Sequence, residues 1–347
     1  MTIPVAQGPP LPFEPGPYIA LTETQRRQFD EDGFILIEDA LSPSHVERLL
    51  EVVDTLYDKF HRTHGTPPDA PYQIRNALVH HEEFFALIEY RKILSMVVDV
   101  MGVNIQIRTS HVDVRPPMKD HKEGELGAKG GFFPWHSDAP NYGYPITNGR
   151  IPFLEVKVGY YLTDLTEHNS GAICVVRGSH KHSPELIHDP DYQIDPNDIV
   201  EVRVRPGTAM VWRTALWHCL APNLSGRTRK CLYYGYNHRW ARPGDYDRQD
   251  SDLLARCTPV QRQLLGSNTT EDGVVYQDGD PAHPASRYWR PETADVPLEA
   301  WADSQYRKKH RRDRKLWEKR NRLPFGAVGA AIEQGESLLE PDEGANR

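Results

Sequence analysis

The chain has 347 residues and a formal net charge of −8, from 41 Lys and Arg against 49 Asp and Glu. An acidic balance argues against a general nucleic-acid binder, and no apolar run approaches the roughly 20 residues of a membrane helix, so neither nucleic acid nor membrane is expected as a partner. With 38% apolar and 26% charged residues the composition is that of an ordinary globular protein with a substantial core. Cys174, Cys219, Cys231 and Cys257 form no Cys-x-x-Cys pattern, which argues against a zinc or disulfide framework.

Residues 1–20 are dense in Pro and Gly and lack a hydrophobic period, so a disordered arm is expected there. Met1 to Gly16 also lacks the basic start and apolar centre of a signal peptide, which predicts a cytoplasmic protein. Thr22 to Asp32 reads as a short helix, and Gly33 to Glu38 as a buried strand after a Gly break. Ser42-Pro43 is a helix start, because Ser can cap and Pro loses no needed donor in the first turn. Val46, Leu49, Leu50, Val53, Leu56, Tyr57 and Phe60 follow at helical spacing. A loop is expected from His61 to Tyr72 and one helix from His81 to Met101. The neighbours His80 and His81 point to different sides of any regular element and read as surface residues.

Asn104 to Val114 reads as a strand carrying a first His-x-Asp pair, His111 and Asp113. The charged, Gly-rich stretch Met118 to Gly131 is either a lid or a solvated connection. It leads into Phe132-Phe133-Pro134-Trp135-His136-Ser137-Asp138, the second His-x-Asp pair. On an extended strand, side chains two apart leave one face with Cα atoms about 6.5–7 Å apart. One imidazole and one carboxylate so placed supply two of the three ligands of a 2-His-1-carboxylate site for non-haem Fe(II). Phe153 to Leu162 alternates as a strand, and His180 and His182 follow a Gly-Ser turn that places them at a rim. Val202 to Val204 and Gly207 to Trp212 read as a hairpin-like pair that delivers His218. Arg229 stands eleven positions after His218, beyond an Asn-Leu-Ser-Gly turn, and Lys230 to Tyr236 closes the β-run. Asp252 to Leu265 reads as a helix, Gly266 to Pro297 as turn-rich, and Leu298 to Arg322 as a charged helix. The basic run Arg307 to Arg312 is a solvated face, since Asp303, Asp313 and Glu318 interleave with it.

The pattern of His136-x-Asp138, a distal His218 and Arg229 eleven residues on resembles the phytanoyl-CoA dioxygenase family of Fe(II)- and 2-oxoglutarate-dependent oxygenases. Arg177-Gly178-Ser179-His180 also resembles the family's Pro-Gly-Ser-His segment, with Arg in place of Pro. The resemblance implies a mainly β fold with flanking helices, a double-stranded β-helix of jelly-roll or cupin-like type. The resemblance covers roughly Gly33 to Trp240; the chain as a whole reads as a single domain over 21–325, with its β core about 104–240, a helical extension 241–325 and a flexible tail 326–347. The resemblance further implies iron on His136, Asp138 and His218, and the distal carboxylate of 2-oxoglutarate on Arg229. Arg227 is the rival that the spacing rejects. By similarity to the ectoine-hydroxylase branch, Thr109 and Trp135 become cosubstrate contacts; Ser225 is a further candidate. The implied reaction consumes dioxygen and 2-oxoglutarate, releases succinate and CO2, and hydroxylates a small-molecule substrate. A carboxylate at position 138 disfavours halogenation, while a non-catalytic metal-binding jelly roll remains the alternative.

Overall fold

A computed structural model describes residues 19–67, 69–118, 135–139 and 151–266, with 298, 301 and 302. The chain divides into two compact units, Met1–Trp301 and Ala302–Arg347. Of the second unit Ala302 alone is described, and the sheets belong to the first. The expected arm up to residue 18, the lid candidate beyond Met118, and nearly all of the C-terminal helix and tail lie outside the described residues.

Helix α1 (Glu23–Glu31) starts at a reciprocal cap, in which Thr22 accepts from the Gln25 N–H and the Gln25 side chain accepts from the Thr22 N–H. Strand β1 (Phe34–Ile37) follows. Helix α2 (Pro43–His64) begins as expected, with Ser42 accepting from the His45 N–H. It runs past the expected stop at His61, because the left-handed Gly65 (φ 65°) is what terminates it. Val46, Leu49, Val53 and Leu56 are buried, while Leu50, Tyr57 and Phe60 are half-buried. Strand β2 (Tyr72–Arg75) begins at the end of the expected loop, in a stretch for which no element was expected; with Ile74 as its one buried residue, it has no alternation to read.

The single helix expected over His81 to Met101 is broken into α3 (Glu82–Ala86), a 3-10 turn at Leu87–Glu89, and α4 (Arg91–Met101). Tyr90 takes an extended ψ of 103° and donates its hydroxyl to the Ala40 carbonyl at 2.7 Å, a tertiary bond that a continuous helix would forgo.

Strands β3 (Ile105–Arg115), β4 (Glu155–Tyr161), β5 (Ile173–Val176), β6 (Ile199–Glu201), β7 (Ala209–Arg213), β8 (His218–Leu220) and β9 (Arg229–His238) complete two sheets. The larger has the order β1-β7-β4-β9-β3-β2 and the smaller β6-β5-β8, with every pairing antiparallel. This is the jelly-roll arrangement. The expected hairpin of Val202–Val204 with Gly207–Trp212 does not form. β6 pairs with β5, whereas β7 pairs with β1 and β4 in the other sheet. Gly207 (φ 87°) turns the chain from one sheet to the other, its N–H on the Tyr161 carbonyl and its carbonyl on the Leu41 N–H.

Period-two alternation decides what each strand offers the site. On β9, Tyr234 and Tyr236 point outward and donate to the Phe84 and Ile88 carbonyls, so Arg229, Cys231 and Tyr233 take the inner face. A core of Phe34, Tyr161, Ile173, Val175, Met210 and Trp212 fills the space between sheets. Each such side chain stabilises the fold by about 1.5–3 kcal/mol on burial. The helix expected over Asp252 to Leu265 is also split, into α5 (Ser251–Ala255) and α6 (Pro259–Leu264), because Thr258 and Gln261 form a new reciprocal cap ahead of Pro259.

Candidate metal centre

The described stretch Trp135–Ala139 runs beside β8 and extends the smaller sheet by one bridge. The His136 N–H donates to the His218 carbonyl at 3.0 Å, and the His218 N–H returns to the His136 carbonyl at 2.8 Å. Residues paired in this way project side chains to one face, and the two imidazole centroids lie 4.3 Å apart. Asp138, two residues along, shares that face and is fixed by its N–H on the Thr214 carbonyl. His136, Asp138 and His218 thereby bring one ligand atom each within 4.8 Å of one another. Among the described residues they are the group of ligating side chains able to close on a single ion.

The surroundings prepare these groups. His218 Nδ1 donates to the Leu216 carbonyl at 2.9 Å, which leaves Nε2 as the lone-pair nitrogen facing Asp138 Oδ2 at 3.6 Å. Burial lowers the His218 pKa to about 4, so the ring is neutral at pH 7. For Asp138 burial pulls the pKa up, but Lys157, His218 and His136 outweigh it and hold the carboxyl well below its usual range. Lys157 Nζ stands 2.6 Å from Asp138 Oδ2. The Gly-Ser turn also has a part, since Ser179 Oγ accepts the Trp217 N–H at 2.9 Å and fixes the chain entering β8. His180 itself turns toward the Asp30 carbonyl, and His182 packs on Trp217.

A cavity with about 580 Å³ of empty space, open to solvent, lies over the three ligands. Gly159 shapes its floor: a Cβ there would meet the Tyr233 ring at 2.9 Å and the Trp212 ring at 3.2 Å, so only glycine lets both aromatics lie over β4. The other His-x-Asp pair reaches the same cavity. His111 is buried against the Tyr233 ring, with its pKa pushed well down by burial and by Lys157 and Arg75. Asp113 turns to arginines. Its Oδ2 accepts from Arg229 Nη1 at 2.5 Å and from Arg115 Nε at 2.9 Å. Burial raises the Asp113 pKa, yet Arg229 and Arg115 bring the net shift below the usual value. Arg229 is 1% exposed and also donates to the Tyr233 hydroxyl. Arg227 lies at the surface, 2.7 Å from Glu167.

The remaining candidates sit apart from the cavity wall. Thr109 lies beside Gly235 and Gly244. Ser225 donates its hydroxyl to Asn223 Oδ1 at 2.7 Å within the turn. Trp135 packs on Cys174, Cys219 and Ala221. Lys157, Arg115 and the acceptor role of Asp113 were not anticipated. Glu155 and Lys157, two buried charges in an otherwise apolar alternating strand, were the available signal.

Jelly-roll sheets around a His-Asp-His cluster, with a buried arginine at the start of β9 in the facing sheet, are the frame of a non-haem iron, 2-oxoglutarate-dependent oxygenase. The chain belongs to the phytanoyl-CoA dioxygenase family, whose model matches residues 29–231. It is 24% identical over 271 residues to a probable alpha-ketoglutarate-dependent hypophosphite dioxygenase of Stutzerimonas stutzeri, covering 70% of this chain and 88% of that protein. It is 23% identical over 184 residues to an ectoine dioxygenase of Bordetella parapertussis, covering 51% and 56% of the two chains. Two solved structures share the fold. HygX from Streptomyces hygroscopicus with nickel and 2-oxoglutarate bound has a TM-score of 0.50 at 18% identity, over 68% of this chain and 94% of its own. The non-haem alpha-ketoglutarate-dependent carbocyclase SnoK from nogalamycin biosynthesis has a TM-score of 0.51 at 22% identity, over 69% and 92%.

Proposed function

We propose that this dioxygenase hydroxylates a small molecule, with His136, Asp138 and His218 as the iron ligands and Arg229 as the anchor of 2-oxoglutarate. The observation that carries the reading is the convergence of two imidazoles and one carboxylate, from two adjacent segments, on one point within 4.8 Å, beside a buried guanidinium. The donor set fits Fe(II): two nitrogens and one ionised oxygen, on one side of a solvent-open cavity that leaves positions for cosubstrate and dioxygen. Iron bound there supplies the oxidising chemistry that couples decarboxylation of 2-oxoglutarate to oxygen insertion.

The chain's own residues do the rest. The Leu216 carbonyl holds the His218 tautomer, and Lys157 keeps Asp138 ionised and oriented. Arg229 suits the distal carboxylate because its planar fork can donate two parallel hydrogen bonds. Arg115, which shares Asp113 with Arg229, leaves that corner with more positive than negative charge. Trp212 and Tyr233 wall the site with apolar ring surface. Thr109, Ser225 and Trp135, the further cosubstrate contacts expected, do not line the cavity and have no role in this reading. In this reading the location is cytoplasmic and neither nucleic acid nor membrane is a partner.

The test is release of labelled CO2 from 1-labelled 2-oxoglutarate. Release that requires both Fe(II) and O2, and yields succinate in equal amount, is expected. Release independent of iron would contradict the reading.

A further inference from the structure

The cavity over the iron ligands also points to a class of prime substrate, an inference that rests on the oxygenase reading. Its exposed wall is mostly apolar, the usual character of a small-molecule site, in which a few polar atoms fix the ligand's orientation. The apolar surface comes from Ile173, Trp212, Leu220 and the Tyr233 ring. The charged side chains of the wall are engaged within the protein. Arg75 pairs with Asp245 at 3.8 Å, Lys157 with Asp138 at 2.6 Å, and Arg115 shares Asp113 with Arg229. The distal carboxylate of 2-oxoglutarate would complete that last corner, two carboxylates on two guanidiniums. The described wall then asks no counter-charge of the substrate. An ionic substrate would give up its hydration here without a dedicated partner, which costs more than burying a neutral polar group.

Buried polar side-chain atoms without a hydrogen-bond partner are uncommon, and three residues of this wall carry one. They are His111 Nδ1 and Asp113 Oδ1 on β3, and Trp212 Nε1 on β7. His111 and Asp113 stand two apart on an extended strand and so share a face. Together the three offer a donor on the indole, an acceptor on the carboxylate, and an imidazole that can take either role. 2-Oxoglutarate carries acceptors alone and cannot satisfy Asp113 Oδ1. The charge of Asp113 is already met by its two arginines, so what Oδ1 lacks is a hydrogen-bond donor and not a counter-ion. A hydroxyl both donates and accepts, and it matches this set where a carboxylate would oppose Oδ1 and an ammonium would oppose the indole N–H. We propose that the prime substrate is a neutral molecule with an apolar body and a hydroxyl, the body lying over Ile173, Trp212 and Leu220 and the hydroxyl bonded at His111 and Asp113.

Anaerobic titration of the full chain, loaded with Fe(II) and 2-oxoglutarate, tests this through the shift that a ligand beside the iron causes in the metal-to-ligand absorbance. The probes share one phenyl ring: 2-phenylethanol, ethylbenzene, phenylacetate and 2-phenylethylammonium. A saturable shift with 2-phenylethanol is expected, with either ion binding about tenfold more weakly. Ethylbenzene should bind about threefold to tenfold more weakly than the alcohol, the worth of one hydrogen bond. His111→Leu should weaken 2-phenylethanol severalfold and leave ethylbenzene unaltered, with the iron-bound 2-oxoglutarate absorbance reporting that the variant is folded. Should that variant fail to fold, the four wild-type affinities decide alone. Either ion or ethylbenzene binding as tightly as 2-phenylethanol, an unaltered alcohol affinity in folded His111→Leu, or no shift from any probe would overturn the inference alone. Absence of the 2-oxoglutarate absorbance in the iron-loaded wild type would overturn the oxygenase reading, and this inference with it.

Discussion

At the residue scale, the two arginines of one turn separate cleanly. Arg229 is sealed inside with Asp113, whereas Arg227 is half-exposed against Glu167 and Asp164. Stripping a buried anion of its partner costs about 3–5 kcal/mol, so Arg229→Leu should weaken 2-oxoglutarate binding by roughly 10²- to 10³-fold. An exposed pair contributes about 0–1 kcal/mol, and Arg227→Leu should bind almost as the wild type does. Calorimetry on the iron-loaded variants measures both, and equal losses would reassign the anchor. The spacing from His218 already singled out Arg229. Nothing local to β3 marked Asp113 as its partner, because that contact spans 116 positions and exists only once β3 and β9 are paired. Lys157 was hidden likewise: a lysine in a strand reads as solvent-facing until the sheet shows which side is inside.

At the element scale, strong periodicity was legible and local exceptions were not. The long amphipathic α2 and strands β3, β4 and β9 follow from their patterns, down to the Ser42 cap. Breaks set by tertiary bonds, such as Tyr90 reaching Ala40, leave no periodic trace. The crossing from the smaller sheet to the larger was misread as a hairpin, since a glycine between two short β-runs looks the same whether the runs pair with each other or part. Gly207 makes that crossing possible. Its φ of 87° is left-handed, and a Cβ would meet the Leu41 carbonyl oxygen at 2.6 Å. Gly207→Ala should therefore destabilise by about 1–3 kcal/mol or more, with a Tm lower by several degrees. Thermal unfolding followed by circular dichroism would check it; an unchanged Tm would mean the turn carries no strain.

For the whole molecule, stability and activity have separate charge determinants. Glu89 is buried beneath α6, and burial raises its pKa from 4.5 to about 7, against the lowering effects of Gln261 and Arg91. Between those values the folded chain binds a proton that the unfolded chain has released, so this group's contribution to stability falls as pH rises through the window. Glu89→Gln should leave stability at pH 4.5 nearly unchanged and raise it at pH 8 by on the order of 1–3 kcal/mol, as read from urea midpoints; equal effects at both values would refute the assignment. Activity rests on His136, Asp138 and His218 holding the iron, and not on the other His-x-Asp pair, His111 and Asp113, that shares their cavity. The most direct test of this is anaerobic Fe(II) titration in the presence of 2-oxoglutarate, following the metal-to-ligand charge-transfer absorbance. Saturable absorbance is expected in the wild type and in His111→Ala, and its loss in His136→Ala and His218→Ala. Absorbance that survives in His218→Ala, or that is lost in His111→Ala while His136→Ala retains it, would place the iron on other ligands.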